Sequence, residues 1–332
     1  MRYAVVCEPA PLPAGRINED TYYFRETGSR VFMLVADGAT PRLELRRFNE
    51  YLATLEGHSG TSARYVANLI HEVAESNAQV TLRDVLLQAN RKLRTALEQV
   101  YGALDADRIG AAEPHLREWL QKDTRYLRLV LPAAVATVVC LDLESRTLEY
   151  AHIGDTGLFL IARDGHMSRV TSDRMNQHDN TALAIGQITR IERDVALAEV
   201  LHDPSVVVFD QNNALYHNFV AEDGTINREI GVGAVDGLEL LDHYIEEGTA
   251  ALDNVAAVVL MSDGAMLPAL WDEVTDGEAD RLQMMGKLIC ERGLLNYIDH
   301  VRTLEREDAS LNRFPRFKIH DDATAIQVEL GP

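Results

Sequence analysis

The stretch Ala134–Ile153, AVATVVCLDLESRTLEYAHI, indicates the fold class of this chain. It holds two β-rich runs, Ala134–Asp142 and Thr147–Ile153, which flank the polar turn Glu144–Arg146. A connection this short joins antiparallel neighbours, because a parallel pair needs a crossover of a dozen or more residues. Another run, Gly157–Ala162, follows at once. The sequence therefore predicts an antiparallel meander, which argues against a doubly wound parallel sheet.

Further strands and helices are predicted on both sides of this meander. Nearly continuous apolar or β-rich runs predict strands at Arg30–Ala36, Val255–Met261 and Ala323–Leu330. Apolar residues at helical spacing predict helices at about Thr61–Ser76, Leu82–Tyr101, Ala111–Asp123 and Asp280–Glu307. Thr81 and Asp84 form a capping-box-like start for the second of these helices.

The region from about residue 168 to 254 has the weakest pattern, with many polar and glycine positions. We expect irregular, flap-like structure there, with one strand at Ser205–Phe209. The chain shows no internal repeat and no low-complexity segment. We therefore expect a single domain, residues 1–332, that carries this flap.

The net charge restricts the partners. The chain has 52 acidic and 32 basic residues, a formal net charge of −20. Such a field repels phosphate backbones and anionic membrane surfaces, so we expect neither nucleic acid nor a membrane as partner. The acidity fits a solvated surface and also carboxylates gathered around divalent cations, and only their positions separate these two interpretations.

The cysteines and the apolar segments indicate a cytoplasmic protein. Cys7, Cys140 and Cys290 are far apart and form no CxxC pair, which does not suggest a disulfide framework. No stretch approaches the ~20 apolar residues that cross a bilayer. Met1–Gly15 also lacks the charged start and the apolar run of a signal peptide.

Acidic residues stand at the margins of several predicted strands. LVADG places Asp37 after one strand, LMSDG places Asp263 after another, and HDDAT places Asp321 and Asp322 before the last strand. Asp155 closes a further strand. Each instance alone is typical of a turn, because Asp hydrogen-bonds its own backbone and Gly takes positive φ freely.

The combination is more informative, since Glu19 and Asp20 also lie just before the strand-rich segment Thr21–Phe24. Hard cations such as Mg²⁺ or Mn²⁺ prefer oxygen ligands, which suits a few carboxylates and a backbone carbonyl on neighbouring strands. Two such metals about 4 Å apart activate a water and steady a phosphoryl group for in-line attack. The positions fit a carboxylate metal site, with ordinary Asp-Gly turns as the alternative.

At these residues the sequence resembles the type 2C, or PPM, family of metal-dependent serine/threonine protein phosphatases, across nearly the whole chain. The matching pieces occur in the family's order: GRINED at 15–20, ADG at 36–38, ATV at 136–138, IGDT at 153–156, MSDG at 261–264 and DDAT at 321–324. The resemblance implies an α+β fold, a four-layer α-β-β-α sandwich of two antiparallel β-sheets flanked by helices, with the metal site at one end.

The resemblance also implies a set of metal ligands for two Mn²⁺ or Mg²⁺ ions. Asp37 would bridge both ions, Glu19 would bind one of them, and the carbonyl of Gly38 would face a metal. Asp263 and Asp321 would complete the other site.

Three further residues receive roles from the same matching. Asp155 would help to hold a third, more weakly bound metal that many members accommodate, and Asp20 would hold metal-bound water from behind the ligands. Arg16 would anchor the phosphate through its planar guanidinium, although the family's arginine commonly stands one residue earlier, at Gly15.

Departures from the family's pattern bear on the chemistry. Ala39-Thr40 follow the Asp-Gly pair, so the histidine general acid of eukaryotic members is absent from that place, and metal-bound water is the alternative proton donor. Gly157 stands where the family has an arginine. His152 and His320 lie beside motif residues, but we interpret both as hydrogen-bonded packing residues rather than catalytic ones.

The resemblance implies an enzyme that hydrolyses phosphoserine and phosphothreonine in proteins with a metal-activated water and no phosphoenzyme. One alternative is a catalytically inactive relative that serves as a binding or regulatory module; the retained Glu19, Asp37, Asp263 and Asp321 argue against it. Another alternative is a phosphatase of small phosphorylated metabolites, or of a regulatory phosphoprotein in a partner-switching circuit.

Overall fold

The computed structural model describes residues 1–11, 16–41, 43–76, 80–202, 213–221, 223–271 and 278–331. Its strands are β1 Arg2–Glu8, β2 Thr21–Thr27, β3 Arg30–Ala39, β4 Ala133–Asp142, β5 Thr147–Ile153, β6 Gly157–Ala162, β7 Met167–Arg169, β8 Glu246–Ala251, β9 Val255–Met261 and β10 Ala323–Glu329. Its helices are α1 Arg46–Leu52, α2 Ser62–Ser76, α3 Leu82–Tyr101, α4 Ala106–Ala112, α5 Arg117–Lys122, α6 Asn176–Arg193, α7 Leu197–His202 and α8 Glu278–Glu307.

The strands form two five-stranded sheets with orders β1-β10-β9-β6-β7 and β2-β3-β4-β5-β8. Every pairing of these strands is antiparallel. The predicted β4–β5 hairpin is confirmed, since these strands pair from Asp142 opposite Thr147 to Ala136 opposite Ile153. The predicted continuation of the meander into Gly157–Ala162 is wrong, because β6 pairs with β9 and β7 in the other sheet. The predicted α+β class, with two antiparallel sheets and accompanying helices, is confirmed as well.

The chain divides into two compact units. Unit 1 comprises Met1–Arg16, Asp155–Asn213 and Leu252–Pro332 and contains the first sheet. Unit 2 comprises Ile17–Gly154 and Ala214–Ala251 and contains the second sheet. The single-domain organisation stays a prediction.

In unit 2, α2 and α3 supply the apolar partners of the second sheet. Ile70 of α2 and Leu93 of α3 are fully buried in the same cluster as Val138 of β4. Burying a side chain of this size contributes about 1.5–3 kcal/mol. The predicted start of α3 is confirmed, because the side chain of Thr81 accepts a hydrogen bond from the backbone N–H of Asp84.

In unit 1, α8 packs on the first sheet. Ile289 and Tyr297 of α8 are buried in one cluster with Phe159 of β6 and Val259 of β9. The predicted helix from Asp280 to Glu307 is present but interrupted at Gly293, whose φ of 78° and ψ of 162° break the helical path.

Two predicted segments differ from the structure. The helix expected over Ala111–Asp123 is replaced by α4 and α5, which are separated around Pro114 because proline lacks an N–H and its ring clashes inside a helix. The flap region, 168–254, contains the 18-residue helix α6 instead of wholly irregular structure. The expected strand Ser205–Phe209 lies outside the described residues. None of the helices in the described ranges is long and apolar enough to span a membrane.

Candidate metal centre

Strand β3 carries two of the predicted site residues in unit 2. We expected the strand to end at Ala36, but it continues to Ala39, so that Asp37 pairs with Val135 and Gly38 with Ala134 of β4. Asp37 therefore lies within the β3–β4 ladder, and its backbone position is fixed by that pairing. An aspartate inside a strand has a better defined position than one in a turn, which favours a ligand role over the turn interpretation.

Gly38 allows Glu19 to approach this strand. A Cβ at Gly38 would lie 2.8 Å from the carbonyl oxygen of Glu19 and 2.9 Å from the backbone of Ala63 in α2. No side chain fits at these distances, so glycine is required for the contact. The structure thus brings the Glu19 segment and the Asp37–Gly38 segment together, as the resemblance implied.

Two residues that the sequence patterns missed hold Glu19. The hydroxyl of Thr40 donates to Oε2 of Glu19. Arg64 of α2 donates from Nη1 to the carbonyl oxygen of Asn18 at 3.0 Å and also to that of Asp20. The carbonyls on either side of Glu19 are therefore fixed by one guanidinium.

Glu19 and Asp20 are both buried, with 4% and 0% exposure. Buried carboxylates are stable only when they are paired, hydrogen-bonded or bound to a cation. Their burial fits the predicted roles of Glu19 as a ligand and Asp20 as a residue behind the ligands.

In unit 1, a close backbone contact joins two acidic motifs. A Cβ at Gly264 would lie 2.0 Å from the carbonyl oxygen of Asp322 and 3.0 Å from Cβ of Asp321. Ser262 and Thr324 reinforce the contact, because the N–H of Ser262 donates to the carbonyl of Thr324 at 2.9 Å. The structure therefore places the Asp263 turn directly against Asp321, as expected for two ligands of one ion.

Asp155 lies in an acidic environment within the same unit. Burial raises the pKa of its carboxyl well above the ordinary value, and the charges of Asp263, Asp173 and Asp179 raise it further. A divalent cation would relieve this repulsion. Arg169 of β7, another residue without a sequence signal, donates to the carbonyl oxygen of Asp155 at 3.2 Å and pairs with Asp173 at 2.9 Å.

Two basic side chains converge on Asp321. Nζ of Lys318 lies 2.9 Å from Oδ1 and 2.7 Å from Oδ2 of this carboxylate. Arg16, the predicted phosphate anchor, places Nη2 3.8 Å from Oδ1 of Asp321. The structure therefore puts Arg16 beside a predicted metal ligand, and it adds Lys318, which no motif indicated.

The chemistry of these donors fits a hard divalent cation, since all are carboxylate or carbonyl oxygens. The close approaches at Gly38 and Gly264 bring the donors together within each unit. In the part of the chain that the structure describes, however, no three His, Cys, Asp or Glu side chains form a ready-made metal-binding group.

Comparison with protein families identifies the chain. The family model described as protein phosphatase 2C matches residues 12–287, so the chain belongs to the protein phosphatase 2C family. The type 2C assignment made from the motifs is confirmed. No curated protein matches the chain.

Solved structures that match this chain include two serine/threonine phosphatases and RsbX. The serine/threonine phosphatase PstP/Ppp of Mycobacterium tuberculosis is 17% identical, with a TM-score of 0.46 over 100% of this chain and 99% of that one. Stp1 from Staphylococcus aureus is 13% identical, with a TM-score of 0.47 over 100% and 96%. RsbX in complex with magnesium is 12% identical, with a TM-score of 0.45 over 99% and 94%.

Proposed function

We propose that this chain hydrolyses phosphoserine and phosphothreonine in proteins by attack of a water activated by two Mn²⁺ or Mg²⁺ ions, with a third ion held more weakly. Family membership supports the reaction class. The observation that carries the proposal is the packing of the Asp263–Gly264 turn on Asp321 and Asp322, which joins two acidic motifs that are distant in sequence.

The residues that would hold the ions are carboxylates and one carbonyl. On unit 2 these are Glu19, Asp37 and the carbonyl of Gly38, and on unit 1 they are Asp155, Asp263 and Asp321. Bound divalent ions supply two kinds of chemistry, a lowered pKa for a water nucleophile and electrostatic stabilisation of the phosphoryl oxygens.

The remaining residues orient the reactants. Arg16 binds the phosphate oxygens through its guanidinium fork, and Asp20 accepts a hydrogen bond from the attacking water. The water oxygen bonds to phosphorus while the bond from phosphorus to the serine or threonine oxygen breaks. Because Ala39-Thr40 offer no acidic side chain, that oxygen takes its proton from water, and the proton released by the attacking water passes to solvent. No phosphoenzyme forms, because water attacks phosphorus directly.

Site variants test this proposal against an inactive binding module. We expect wild-type protein to release phosphate from a phosphothreonine peptide and from p-nitrophenyl phosphate in Mn²⁺. Asp37→Asn and Asp263→Asn should each lower kcat/KM at least about 100-fold, as expected for lost transition-state stabilisation. Full activity in both variants would contradict the proposed centre, and Mn²⁺ binding without any turnover would favour the binding module.

A phosphorylated metabolite panel separates protein from small-molecule substrates. We expect kcat/KM for phosphothreonine peptides to exceed that for small phosphate monoesters. The opposite order would make the metabolite phosphatase the better account.

A further inference from the structure

Three ionisable residues are buried together where α8 leads into the Asp321 loop. Arg302, Glu305 and His320 are 4%, 5% and 3% exposed. Burying charged groups is costly, and it is tolerated only with good geometry and full pairing. Apolar residues would fill the same volume at lower cost, so this cluster requires an explanation beyond packing.

Glu305 is the centre of the cluster. Its Oε2 accepts a hydrogen bond from Nη1 of Arg302 at 2.9 Å and lies 2.8 Å from Nδ1 of His320. A carboxylate only accepts, so Nδ1 of His320 is the donor. Nη2 of Arg302 is buried without a hydrogen-bond partner among the described residues. The three side chains form a hydrogen-bonded series that runs from α8 to residue 320.

This hydrogen-bonded series ends beside a predicted metal ligand. Asp321 follows His320 directly, and on its other side Oδ1 of the buried Asp322 accepts the backbone N–H of Ala10 at 2.7 Å. Asp321 therefore stands between two residues whose side chains are anchored in the interior. Its own side chain remains 22% exposed.

The loop between α8 and β10 has no regular secondary structure that could fix Asp321 instead. Side chains order it. Arg316 donates from Nη2 to the carbonyl oxygen of Glu305 at 3.0 Å and from Nε to that of Ile319 at 3.2 Å. Glu305 thus contributes its side chain and its backbone to the same loop.

We propose that Arg302, Glu305 and His320 are positioning residues that set the place of the Asp321 carboxylate for a divalent cation. This inference rests on the proposed function, because it takes Asp321 as a metal ligand. The residues do not contact the substrate. In other metal sites, residues that hydrogen-bond behind a ligand hold that ligand in place. Loss of such a residue typically weakens metal affinity about 10- to 100-fold, and we assign the same role to these three residues.

Two substitutions at one position separate positioning from packing. His320→Leu fills the space and removes the hydrogen bond to Glu305, whereas His320→Asn offers an amide nitrogen close to the place of Nδ1. Mn²⁺ binding to full-length protein is measured by titration calorimetry. We expect His320→Leu to raise the dissociation constant at least about 10-fold and His320→Asn to restore it to within about 3-fold of wild type.

A packing variant on the same helix is the matched control. Ile289→Ala in α8 opens a cavity in the unit 1 core and lowers the melting temperature without touching the triad. We expect its Mn²⁺ affinity to stay at the wild-type value. An equal loss of affinity in this control, or wild-type affinity in His320→Leu, would overturn the positioning role.

Failure of the proposed function gives a different result, because the wild-type protein would then bind no Mn²⁺ and release no phosphate.

If His320→Leu does not fold, Glu305→Gln replaces it, because the neutral amide retains the shape and weakens both charge-assisted bonds. We expect a smaller rise of the dissociation constant in the same direction. An unchanged constant in Glu305→Gln would overturn the inference.

Discussion

Within each unit, the presence or absence of a side chain at a single position determines how closely two acidic motifs approach each other. Gly38 and Gly264 have matching roles in the two units, because each leaves room for the backbone of a neighbouring acidic segment. The sequence motifs indicated the acidic residues but not the residues that hydrogen-bond to them or pair with them. Thr40, Arg64, Arg169 and Lys318 act across long sequence separations or from ordinary surface positions, and neither spacing nor periodicity signals such contacts.

Gly264→Ala should damage unit 1 by overlap rather than by backbone strain. The added Cβ would lie 2.0 Å from the carbonyl oxygen of Asp322, so the turn must move away from Asp321. We expect a loss of about 1–3 kcal/mol in urea unfolding and a marked drop in phosphatase activity. Gly331→Ala, where nothing lies within 4 Å, is the control and should match wild type.

Lys318→Met should strengthen metal binding. The ammonium of Lys318 contacts both oxygens of Asp321, so it competes electrostatically with a cation on the same carboxylate. Exposed ion pairs contribute about 0.2–1 kcal/mol, which corresponds to an affinity gain of up to about fivefold for Mn²⁺ in calorimetry. Lys287→Met removes the same charge from the exposed side of α8, and an equal gain there would show a general charge effect instead.

Secondary-structure elements could be predicted where their pattern is local. Strands β4, β5 and β6 and helices α2 and α3 have strong local patterns, and each is confirmed as an element. The sheet to which β6 belongs could not be predicted in the same way, because its pairing with β9 is distant in sequence. Helix α6 buries little apolar surface and exposes Ile188 and Ile191, so its sequence lacked a clear apolar face. The break between α4 and α5 follows from Pro114 and from Glu113, which is buried and accepts a hydrogen bond from the Tyr101 hydroxyl.

Asp236 makes a pH-dependent contribution to stability. It follows Val235, which forms an isolated bridge with Ala134 of β4 in the second sheet. Burial raises the pKa of Asp236 from the ordinary 3.8 to about 6, although Arg128 and the N–H of Leu238 favour the charged form. The folded state thus holds this proton more tightly, so the contribution is fully present below about pH 4 and is lost as the pH rises through 6.

Asp236→Asn should remove this dependence, because the amide oxygen can still accept from the N–H of Leu238. Between pH 5 and 7.5 we expect the variant to gain about 1 kcal/mol in stability relative to wild type. Urea unfolding at both pH values measures the difference. A constant difference between the two proteins would contradict the raised pKa of Asp236.

At the scale of the whole molecule, each unit is built from segments that are distant in sequence, and sequence patterns do not indicate which of these segments pair. Strand β1 at the N-terminus pairs with β10 at the C-terminus, from Arg2 opposite Glu329 to Glu8 opposite Ala323. Such pairing depends on the whole fold, and β1 was not predicted. The family's order of motifs carried more information than any local pattern, because it linked acidic residues from Glu19 to Asp321 before any contact was known.

The net charge of −20 should influence which substrates associate fastest. An acidic protein attracts basic peptides and repels acidic ones, and salt screens both effects. We expect kcat/KM for a phosphothreonine peptide flanked by lysines to exceed that for one flanked by aspartates, with the ratio shrinking between 20 and 200 mM salt. A ratio that is independent of salt would assign the preference to local contacts.

The most direct measurement is phosphate release from a phosphothreonine peptide by wild-type protein before EDTA, after EDTA, and after Mn²⁺ or Mg²⁺ is restored. We expect turnover that EDTA abolishes and that divalent metal recovers, since the carboxylates at Asp37, Asp263 and Asp321 would hold the ions. Turnover that persists in EDTA would contradict a metal-activated water, and with it the central role of these carboxylates.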